Sequence, residues 1–421
     1  TETENHLTFS RCNMDQLHTI IKDTIRFESG QRFDGRGATW HLEDGWTHQP
    51  VIIERAHDVQ ICNLNIVAGR DEATGVSPLI KIDASSSVAL SNVSLTCNED
   101  EGGVNQIPLG VYNSSDVMLD RILAQGSPSS HNIEFYGCMD LSLINSTSTA
   151  AFLDGIKVQY GNTNTTIQNC TSTFNGRTYA SGGPAGDGCD LTQGAGTMTN
   201  VVNCNFSNNT NGITFKYAKS PHHPLRAACY GVSIRGCSLS DNLQSGLFAQ
   251  GYSEGSGDNT GNENNAPHPI GFTVSDTTAE GNATHGFIVG DGTWNINDCI
   301  AYRNQRHGLY LTASSRHCNV RNLLSVANVE TNINAWGRNN DFDHAKCIGF
   351  DIFNTNASDW ETAERVTKLG INHQWKPMRQ KHQGIYRRCY NEYAQDENGK
   401  PQHLPDHCWI EPYDRNGDEL L

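Results

Sequence analysis

Three acidic residues and one lysine occupy related positions of a short phrase that repeats in the middle of the chain. The acids are Asp154, Asp187 and Asp190, and the lysine is Lys216. Carboxylates that lie close together repel one another unless a cation bridges them, and Ca²⁺ accepts a loosely shaped site of oxygen ligands. A lysine beside such a cation, in a partly dry cleft, has a lowered pKa that suits it to remove a proton. These residue types therefore predict a site for metal-assisted proton abstraction.

The phrase consists of a polar residue, a glycine and a short run in which alternate residues are apolar. Its copies begin at Asp154, Asp187, Asn211, Ser245, His285 and His307. A repeat of roughly 22–40 residues that holds short strands is typical of a solenoid, in which equal positions of successive repeats stack. Neighbouring strands lie about 4.8 Å apart. The acids are therefore expected on adjacent coils, with Lys216 one coil further.

The direction of the phrase decides the strand arrangement. Antiparallel hairpins need tight two-residue glycine turns, whereas here the same phrase returns in the same direction, so the strands are parallel. We therefore predict an all-β fold, a right-handed parallel β-helix of about eleven coils. Apolar residues at helical spacing within residues 13–26 predict an amphipathic capping helix over the first coil; they are Leu17, Ile20, Ile21 and Ile25.

The predicted organisation has three parts. Residues 1–40 form an N-terminal cap, residues 41–355 the β-helix, and residues 356–421, where the repeat is lost, an irregular C-terminal cap or tail. Long loops on a rigid solenoid usually wall a binding cleft. Three insertions rich in Gly, Asn, Pro and His are expected to do so here, at residues 172–186, 217–229 and 251–269.

Alternation fixes which side chains face outward, because the first and third residues after each glycine are apolar and face the core. Lys216 is the predicted proton-abstracting base, and Arg226 is a second catalytic candidate that would hold a substrate carboxylate with two hydrogen bonds. The predicted substrate-binding residues are Lys157, Arg177, Lys219, His222, His223, Phe248, His285, His307 and Tyr310. Two plainer interpretations stay open: the aspartates cap turns, and Lys216 lies on a solvated face.

Composition argues against several classes of function. The 421 residues carry a net charge of −16 with a pI near 5.4, which argues against nucleic acid as a partner because phosphates need a basic face. No run of about 18 apolar residues is present to span a membrane. The expected location is secreted or extracellular, or a virion surface if the chain is a tailspike. A homo-oligomer is an open expectation, a trimer if the chain is a fibre.

The fourteen cysteines allow two interpretations. Four of them come late in successive repeats, where small buried thiols would stack inside a solenoid; they are Cys170, Cys204, Cys237 and Cys299. The alternative is a disulfide framework. Cys389 and Cys408 lie outside the repeat and are the expected bonded pair.

Three strings resemble the successive core coils of the calcium-dependent pectate lyases of polysaccharide lyase family 9. They are Asp154-Gly-Ile-Lys-Val, Gly186-Asp187-Gly-Cys-Asp190-Leu and Asn211-Gly-Ile-Thr-Phe-Lys216. The resemblance implies a right-handed β-helix, Ca²⁺ as cofactor bound by the three aspartates, and Lys216 as the base. It also implies cleavage of an acidic, uronate-containing polysaccharide by β-elimination. The chain departs from the family pattern at Gly186, which replaces an aspartate, and by one extra residue before Lys216.

Three other functions stay open. A metal-independent glycoside hydrolase or tailspike-type depolymerase would place Asp187 and Asp190 across a glycosidic bond. A β-helix C5-epimerase would need a base and an acid on opposite faces of the sugar, and the Asp-Pro-His motif associated with alginate epimerases is absent. The groups that could serve as base and acid of such an epimerase are Lys216, Tyr217, His222 and His223. A non-catalytic glycan-binding fibre would use the aromatic residues as a sugar-stacking face.

Overall fold

The computed structural model shows a chain built from short β-strands. The structure describes residues 18–45, 49–69, 77–97, 106–159, 161–176, 186–192, 197–216, 231–250, 271–290, 293–312, 315, 318–326, 328–335, 341–343, 346–348, 352–354, 376–377 and 386–387. The insertions 217–229 and 251–269 lie outside these ranges, as do Cys389, Cys408 and most of the predicted C-terminal cap. The described residues contain no helix of the length and apolarity that a membrane span requires.

The strands, in chain order, are short and regular. The first seventeen are β1 (His18–Ile21), β2 (Ile25–Phe27), β3 (Arg32–Leu42), β4 (Val51–Glu54), β5 (His57–Val67), β6 (Ser77–Asp83), β7 (Ser86–Thr96), β8 (Gln106–Tyr112), β9 (Ser115–Gln125), β10 (Ile133–Tyr136), β11 (Met139–Ile144), β12 (Thr147–Thr149), β13 (Ile156–Gln159), β14 (Thr163–Gln168), β15 (Thr171–Thr173), β16 (Cys189–Thr192) and β17 (Thr197–Val202). The others are β18 (Asn205–Ser207), β19 (Ile213–Lys216), β20 (Ser233–Arg235), β21 (Ser238–Ser240), β22 (Leu247–Gln250), β23 (Phe272–Ser275), β24 (Thr278–Glu280), β25 (Phe287–Val289), β26 (Trp294–Asn297), β27 (Ile300–Tyr302), β28 (His307–Leu311), β29 (Asn319–Arg321), β30 (Leu324–Val326), β31 (Thr331–Ala335), β32 (Asp341–Asp343), β33 (Lys346–Ile348), β34 (Ile352–Asn354), β35 (Lys376–Pro377) and β36 (Tyr386–Arg387).

The chain divides into two compact units, residues 1–191 with 195–200 and residues 192–194 with 201–421. In the first unit, one parallel sheet, here called the acidic sheet, runs in the order β2, β4, β6, β8, β10, β13, β16. In the second unit, the corresponding histidine sheet runs in the order β19, β22, β25, β28, β31, β34. Strand after strand in each sheet pairs in parallel with the strand one coil on. The fold is the predicted right-handed parallel β-helix.

Each coil contributes one apolar residue to a ladder that fills the interior. In the acidic sheet, residues in direct register are Ile25, Val51, Ile80, Leu109, Ile133 and Ile156. Their exposed fractions are 0–4%. Burying a side chain of this size stabilises the folded chain by about 1.5–3 kcal/mol, so the stacked ladder, rather than any turn, holds the coils together.

A second ladder, made of asparagines, lines one inner corner of the second unit. The side-chain oxygen of Asn304 accepts hydrogen bonds from the backbone N–H (3.1 Å) and the amide (2.8 Å) of Asn282. Asn328 does the same for Asn304, at 3.0 and 2.8 Å. The glycine of the repeated phrase lies against this ladder: a Cβ at Gly246 would come within 2.7 Å of the carbonyl oxygen of Gly286 and 3.1 Å of the amide nitrogen of Asn282.

The predicted N-terminal helix is wrong where the structure describes it. Residues 18–21 and 25–27 form strands β1 and β2 instead. Ile25 and Phe27 are 4% exposed, and their strand pairs with β4 in register. Isoleucine is β-branched and favours strands, and a strand at this position extends the apolar ladder by one rung. That gain outweighs the helical spacing of the apolar residues.

The stacked-thiol interpretation is confirmed for the cysteines late in the repeats. Cys170, Cys204, Cys237 and Cys299 are 0–3% exposed. Cys299 donates to the carbonyl of Asn297 at 3.1 Å, and burial raises the pKa of its thiol to about 12. A thiol with that pKa is protonated at neutral pH and therefore unreactive.

Candidate functional site

The residue before the glycine of the phrase caps the next coil. Oδ1 of Asp154 accepts a hydrogen bond of 2.9 Å from the backbone N–H of Asp187. In the second unit, Oδ1 of Asn211 accepts one of 3.0 Å from the N–H of Ser245. The turn-capping role considered for Asp154 is therefore present. It also fixes the position of this carboxylate relative to Asp187 on the adjacent coil.

The three predicted metal-binding acids lie together in the first unit. Asp154, Asp187 and Asp190 are 3%, 0% and 0% exposed, and one carboxylate oxygen from each lies within 4.8 Å of the other two. Asp190 stands at an outward position of strand β16 and is nevertheless buried. Three buried carboxylates at this spacing need positive charge beside them.

Lys157 supplies positive charge to the cluster. Its Nζ atom lies 3.3 Å from Oδ2 of Asp154 and also donates a hydrogen bond to Oδ2 of Asp190. The side chain of Lys157 is only 12% exposed. The sequence predicted Lys157 as a substrate-binding residue; the structure makes it a partner of two of the acids.

His131, which the sequence analysis did not single out, is the second partner of Asp154. Its Nδ1 atom lies 3.1 Å from Oδ2 and 3.2 Å from the backbone nitrogen of Asp154. One nitrogen cannot donate to the carboxylate and accept from the N–H at the same time, so the two contacts are alternatives: a hydrogen on Nδ1 gives the bond to the carboxylate, and its absence gives the bond from the N–H. His131 stands just before strand β10, in a coil that lacks the repeated phrase, so no position in the repeat pointed to it.

The charge state of Asp154 follows from these contacts. Burial on its own raises the pKa of the carboxyl, but the His131 hydrogen bond and the Lys157 charge more than offset it. The pKa of Asp154 is therefore well below its ordinary value. Asp154 is a carboxylate at any pH near neutral, which suits it to bind a cation and not to donate a proton.

The donor set fits a hard divalent cation. Ca²⁺ binds carboxylate and carbonyl oxygens in a flexible arrangement, and the three aspartates offer carboxylate oxygens only. The ammonium of Lys157 contacts two of the same carboxylates. A bound cation and Lys157 would therefore compete for the oxygens of Asp154 and Asp190.

A groove of about 490 Å³ lies on the outward face of the acidic sheet, and the sequence analysis missed it. Its lining residues are Gln49, Pro78, Lys81, Asp83, Tyr112, Asn113, Glu134 and Tyr136. Glu134 is in direct register with Lys157, one strand away, so the groove leads toward the cluster. The coils that form it precede Asp154 and lack the repeated phrase; only the alternation along β8 and β10 marked Tyr112 and Tyr136 as outward residues.

The second unit brings together three of the predicted substrate-binding residues. The rings of His285 and His307 lie 4.8 Å apart, and the ring of Tyr310 lies 5.3 Å from that of His285. The two histidines are 5% and 7% exposed. Burial, and then the charges of neighbouring His307 and Arg306, lower the pKa of His285 to about 3. For His307, burial is the main cause that lowers the pKa to about 4, against the opposing charge of Glu330.

The other predicted site residues are less informative. Phe248 is half-buried in strand β22, in register with Thr214 and Ile288. Lys216 ends strand β19, in register with Gln250. The remaining candidates lie outside the described residues; they are Arg177, Lys219, His222, His223 and Arg226.

Comparison with known proteins identifies the fold only. No protein-family model matches the chain, and no curated protein matches its sequence. The A-module of mannuronan C-5 epimerase AlgE6 from Azotobacter vinelandii is similar in structure, with a TM-score of 0.50 and 12% identity over 76% of this chain and 84% of that one. The T265N mutant of the periplasmic alginate epimerase AlgG has a TM-score of 0.53 and 10% identity over 80% and 79%.

A bacteriophage protein is also similar, though less closely. Tailspike protein 3 of bacteriophage CBA120 has a TM-score of 0.41 and 9% identity over 78% of this chain and 55% of its own. None of the structures named here is a pectate lyase, and that resemblance stays a prediction. The chain shares with the two epimerases the right-handed parallel β-helix.

Proposed function

We propose that the chain is an enzyme that cleaves a uronate-containing polysaccharide by β-elimination, and that the acidic cluster is where the uronate binds. The observation that supports this most is the convergence of Asp154, Asp187 and Asp190 within 4.8 Å on one sheet, next to an open groove. Soluble uronates carry a carboxylate that these acids would repel. A site of this composition therefore recognises a uronate through a cation.

The three aspartates would hold that cation, and the proposed ion is Ca²⁺, which prefers carboxylate oxygens. When bound, it would neutralise the C6 carboxylate of the uronate and so acidify the C5 proton. A basic group of the chain then removes that proton. The electron pair forms the C4–C5 double bond, the bond from C4 to the glycosidic oxygen breaks, and this oxygen takes up a proton.

The residues around the aspartates have separate tasks in this proposal. Asp154 stays ionised because of His131 and Lys157, and it can bind the cation when Lys157 releases its Oδ2 atom. Lys157, at 12% exposure, hydrogen-bonds the uronate or the aspartates according to whether the cation is present. Lys216 stays the proposed base and Arg226 the proposed group that holds the substrate carboxylate.

The test is an assay for unsaturated uronides. Pectate, alginate and glycosaminoglycans are incubated with the protein, with and without EDTA, and ultraviolet absorbance and reducing ends are followed together. The proposal expects both signals to rise for one substrate and both to stop with EDTA. Lys216→Ala and Asp190→Asn should abolish them. Reducing ends without absorbance would instead indicate hydrolysis, the alternative with Asp187 and Asp190 as the paired acids. Absence of both signals would leave a binding fibre or a C5-epimerase.

C5 epimerisation is the second candidate function, and two structural neighbours of TM-score 0.50 and 0.53 carry that activity in their names. It begins with the same loss of the C5 proton but returns a proton to the opposite face. Incubation in D₂O separates the two reactions. Deuterium at C5 of the polymer, without new absorbance, would identify an epimerase. Either activity implies an extracellular or cell-surface location, where such polymers occur.

A further inference from the structure

The groove on the acidic sheet is built around one tyrosine that lies across its own strand. The ring of Tyr112 occupies the space above Gly110, where any Cβ would meet its hydroxyl. Gly110 is in register with Lys81 on one side and Glu134 on the other. The phenol therefore lies between a lysine and a glutamate. The hydroxyl of Tyr112 donates to Oε2 of Glu134 at 3.0 Å.

A second tyrosine extends the aromatic surface by one strand. Tyr136 is in register with Tyr112, and both are half-buried in the groove wall. Neighbouring strands lie about 4.8 Å apart. Half-buried aromatic rings in an open groove provide the apolar face on which a sugar ring stacks, while polar groups at the edge bind its hydroxyls.

The charged side chains of the groove determine whether a charged or a neutral sugar binds there. Lys81 is paired with Asp83 at 2.9 Å, and the amide of Asn113 also donates to Asp83 at 3.3 Å. Glu134 accepts hydrogen bonds from Tyr112 and from the amide of Gln159. The lining thus holds one ammonium and two carboxylates. A uronate carboxylate entering this groove would meet an excess of negative charge, whereas a neutral sugar would donate its hydroxyls to the same acids.

The surroundings of Tyr112 keep its hydroxyl protonated. Burial, and then the charge of Glu134, raise the pKa of Tyr112 above its ordinary value. The phenol therefore stays a neutral hydrogen-bond donor to Glu134.

We infer that this groove binds a neutral sugar residue of the polysaccharide, two strands from the acidic cluster. Gly110, which lies under the ring of Tyr112, stands on β8 in register with Glu134 on β10, and Glu134 is in register with Lys157 on β13. Two strand spacings place Gly110 and Lys157 about 10 Å apart across the sheet. A single chain lying across the strands would reach both. The inference rests on the proposed function and narrows it: the substrate is a heteropolysaccharide in which neutral sugars neighbour uronates.

The test uses two probes that differ only in charge. They are a short oligogalacturonide and the same oligosaccharide after chemical reduction of its carboxylates to alcohols. Equilibrium binding of each is measured by calorimetry in the presence of EDTA, so that cation-dependent binding at the cluster does not contribute. The wild-type protein is expected to bind the reduced probe more tightly than the oligogalacturonide.

Variants locate the binding. Tyr136→Ala is expected to lower the affinity for the reduced probe about tenfold. Tyr136→Phe keeps the aromatic ring and should therefore retain that affinity. Glu134→Gln is expected to raise the affinity for the oligogalacturonide about tenfold and to leave the affinity for the reduced probe nearly unchanged. Glu54→Gln is the matched control, since Glu54 lies on β4 of the same sheet and pairs with Arg26 at 3.4 Å, outside the groove. Thermal unfolding verifies that each variant is folded.

Three results would overturn the inference: no binding of the reduced probe, equal binding by Tyr136→Ala, or an unchanged preference in Glu134→Gln. Asp190→Asn separates this test from that of the proposed function. It should abolish unsaturated products and leave binding of the reduced probe intact. If the wild-type protein makes no such product but binds the reduced probe as expected, the proposed activity fails and the neutral-sugar groove stands.

Discussion

Nζ of Lys157 lies 3.3 Å from Oδ2 of Asp154, three residues earlier in the chain. Asp154 ends the turn before the glycine, and Lys157 is the first outward residue of strand β13, so the turn folds the two side chains onto each other. The same ammonium also reaches Asp190 on the adjacent coil. Lys157 therefore links two coils through charge, at the point where a divalent cation would bind.

Replacing Lys157 should strengthen cation binding. In Lys157→Met the ammonium no longer competes for the oxygens of Asp154 and Asp190, and we expect the affinity for Ca²⁺ to rise about tenfold. Calorimetric titration of Ca²⁺ into metal-free protein measures it. Lys81→Met is the control, because its ammonium pairs with Asp83 at 2.9 Å in the same sheet. Equal affinities in wild type and Lys157→Met would show that the lysine and the cation do not share a site.

Asp154→Asn should destabilise the protein at neutral pH by roughly 2 kcal/mol, because the buried ammonium of Lys157 loses one of its two carboxylate partners and His131 loses its charged acceptor. The pKa of Asp154 is lowered on folding, so its contribution is present above the ordinary value of 3.8 and is lost as the pH falls. The deficit of the variant should therefore shrink below pH about 4. Urea unfolding at several pH values measures it, with exposed Asp58→Asn as the control. A deficit that is independent of pH would contradict the charged role of Asp154.

The buried histidines should make the protein acid-sensitive. Both pKa values are lowered on folding, to about 3 for His285 and about 4 for His307. Below pH about 6.5 the unfolded chain therefore binds protons that the folded chain does not bind. The free energy of unfolding falls as the pH decreases from there toward about 4. We expect a loss of roughly 2.5 kcal/mol per ring at pH about 4.5.

Chemical unfolding across this pH range tests that expectation. His285→Gln should remove about half of the pH dependence, because His307 keeps its own contribution, and His57→Gln is the exposed control. Arg306 and Glu330 are the charged groups near the pair, and both are retained in these variants. A wild-type profile that is flat between pH about 6.5 and about 4.5 would rule out neutral, buried rings.

The buried asparagines of the ladder should contribute more to the free energy of unfolding than asparagines nearer the surface. Asn304→Ala removes the acceptor of two donors on Asn282 and opens a gap, for which we expect a loss of about 2–4 kcal/mol in the free energy of unfolding. Asn319→Ala is the matched control, because Asn319 makes one half-buried bond of 2.9 Å to Asn295. Its loss should stay below about 1 kcal/mol. Similar losses in the two variants would mean that the buried asparagine ladder contributes no more to stability than a half-buried asparagine contact.

The period of the sequence predicted the cluster well, because equal positions of a solenoid repeat must stack. Asp154, Asp187 and Asp190 were found in this way, and Lys157 was recognised as an outward residue. Its partners were not predicted, since alternation gives the face of a side chain but not its rotamer. Asp190 and Thr214 are outward by alternation and yet 0% exposed, which no local pattern reveals.

The sequence failed where neighbouring coils, rather than neighbouring residues, decide the structure. Residues 18–27 have apolar residues at helical spacing, but pairing with β3 and β4 makes them strands. Tyr112 and Glu134 meet only because Gly110 leaves room for the ring, and 22 residues separate the pair in the chain. Contacts of this kind depend on the register between coils, which becomes visible only in three dimensions.

The asparagine ladder also bears on how such a protein can change in length. Asn282, Asn304 and Asn328 are 22 and 24 residues apart, and each presents the same oxygen to the coil before it. Asn242 in turn donates its backbone N–H and its amide to the side-chain oxygen of Asn282, at 3.1 and 2.9 Å. Deleting residues 282–303 would offer Asn242 the oxygen of Asn304 instead, so the shortened chain should still unfold in a single cooperative transition. Loss of half a coil would leave that oxygen on the wrong side. Evolution can therefore lengthen or trim this protein by duplication or loss of complete turns, and hardly by smaller steps.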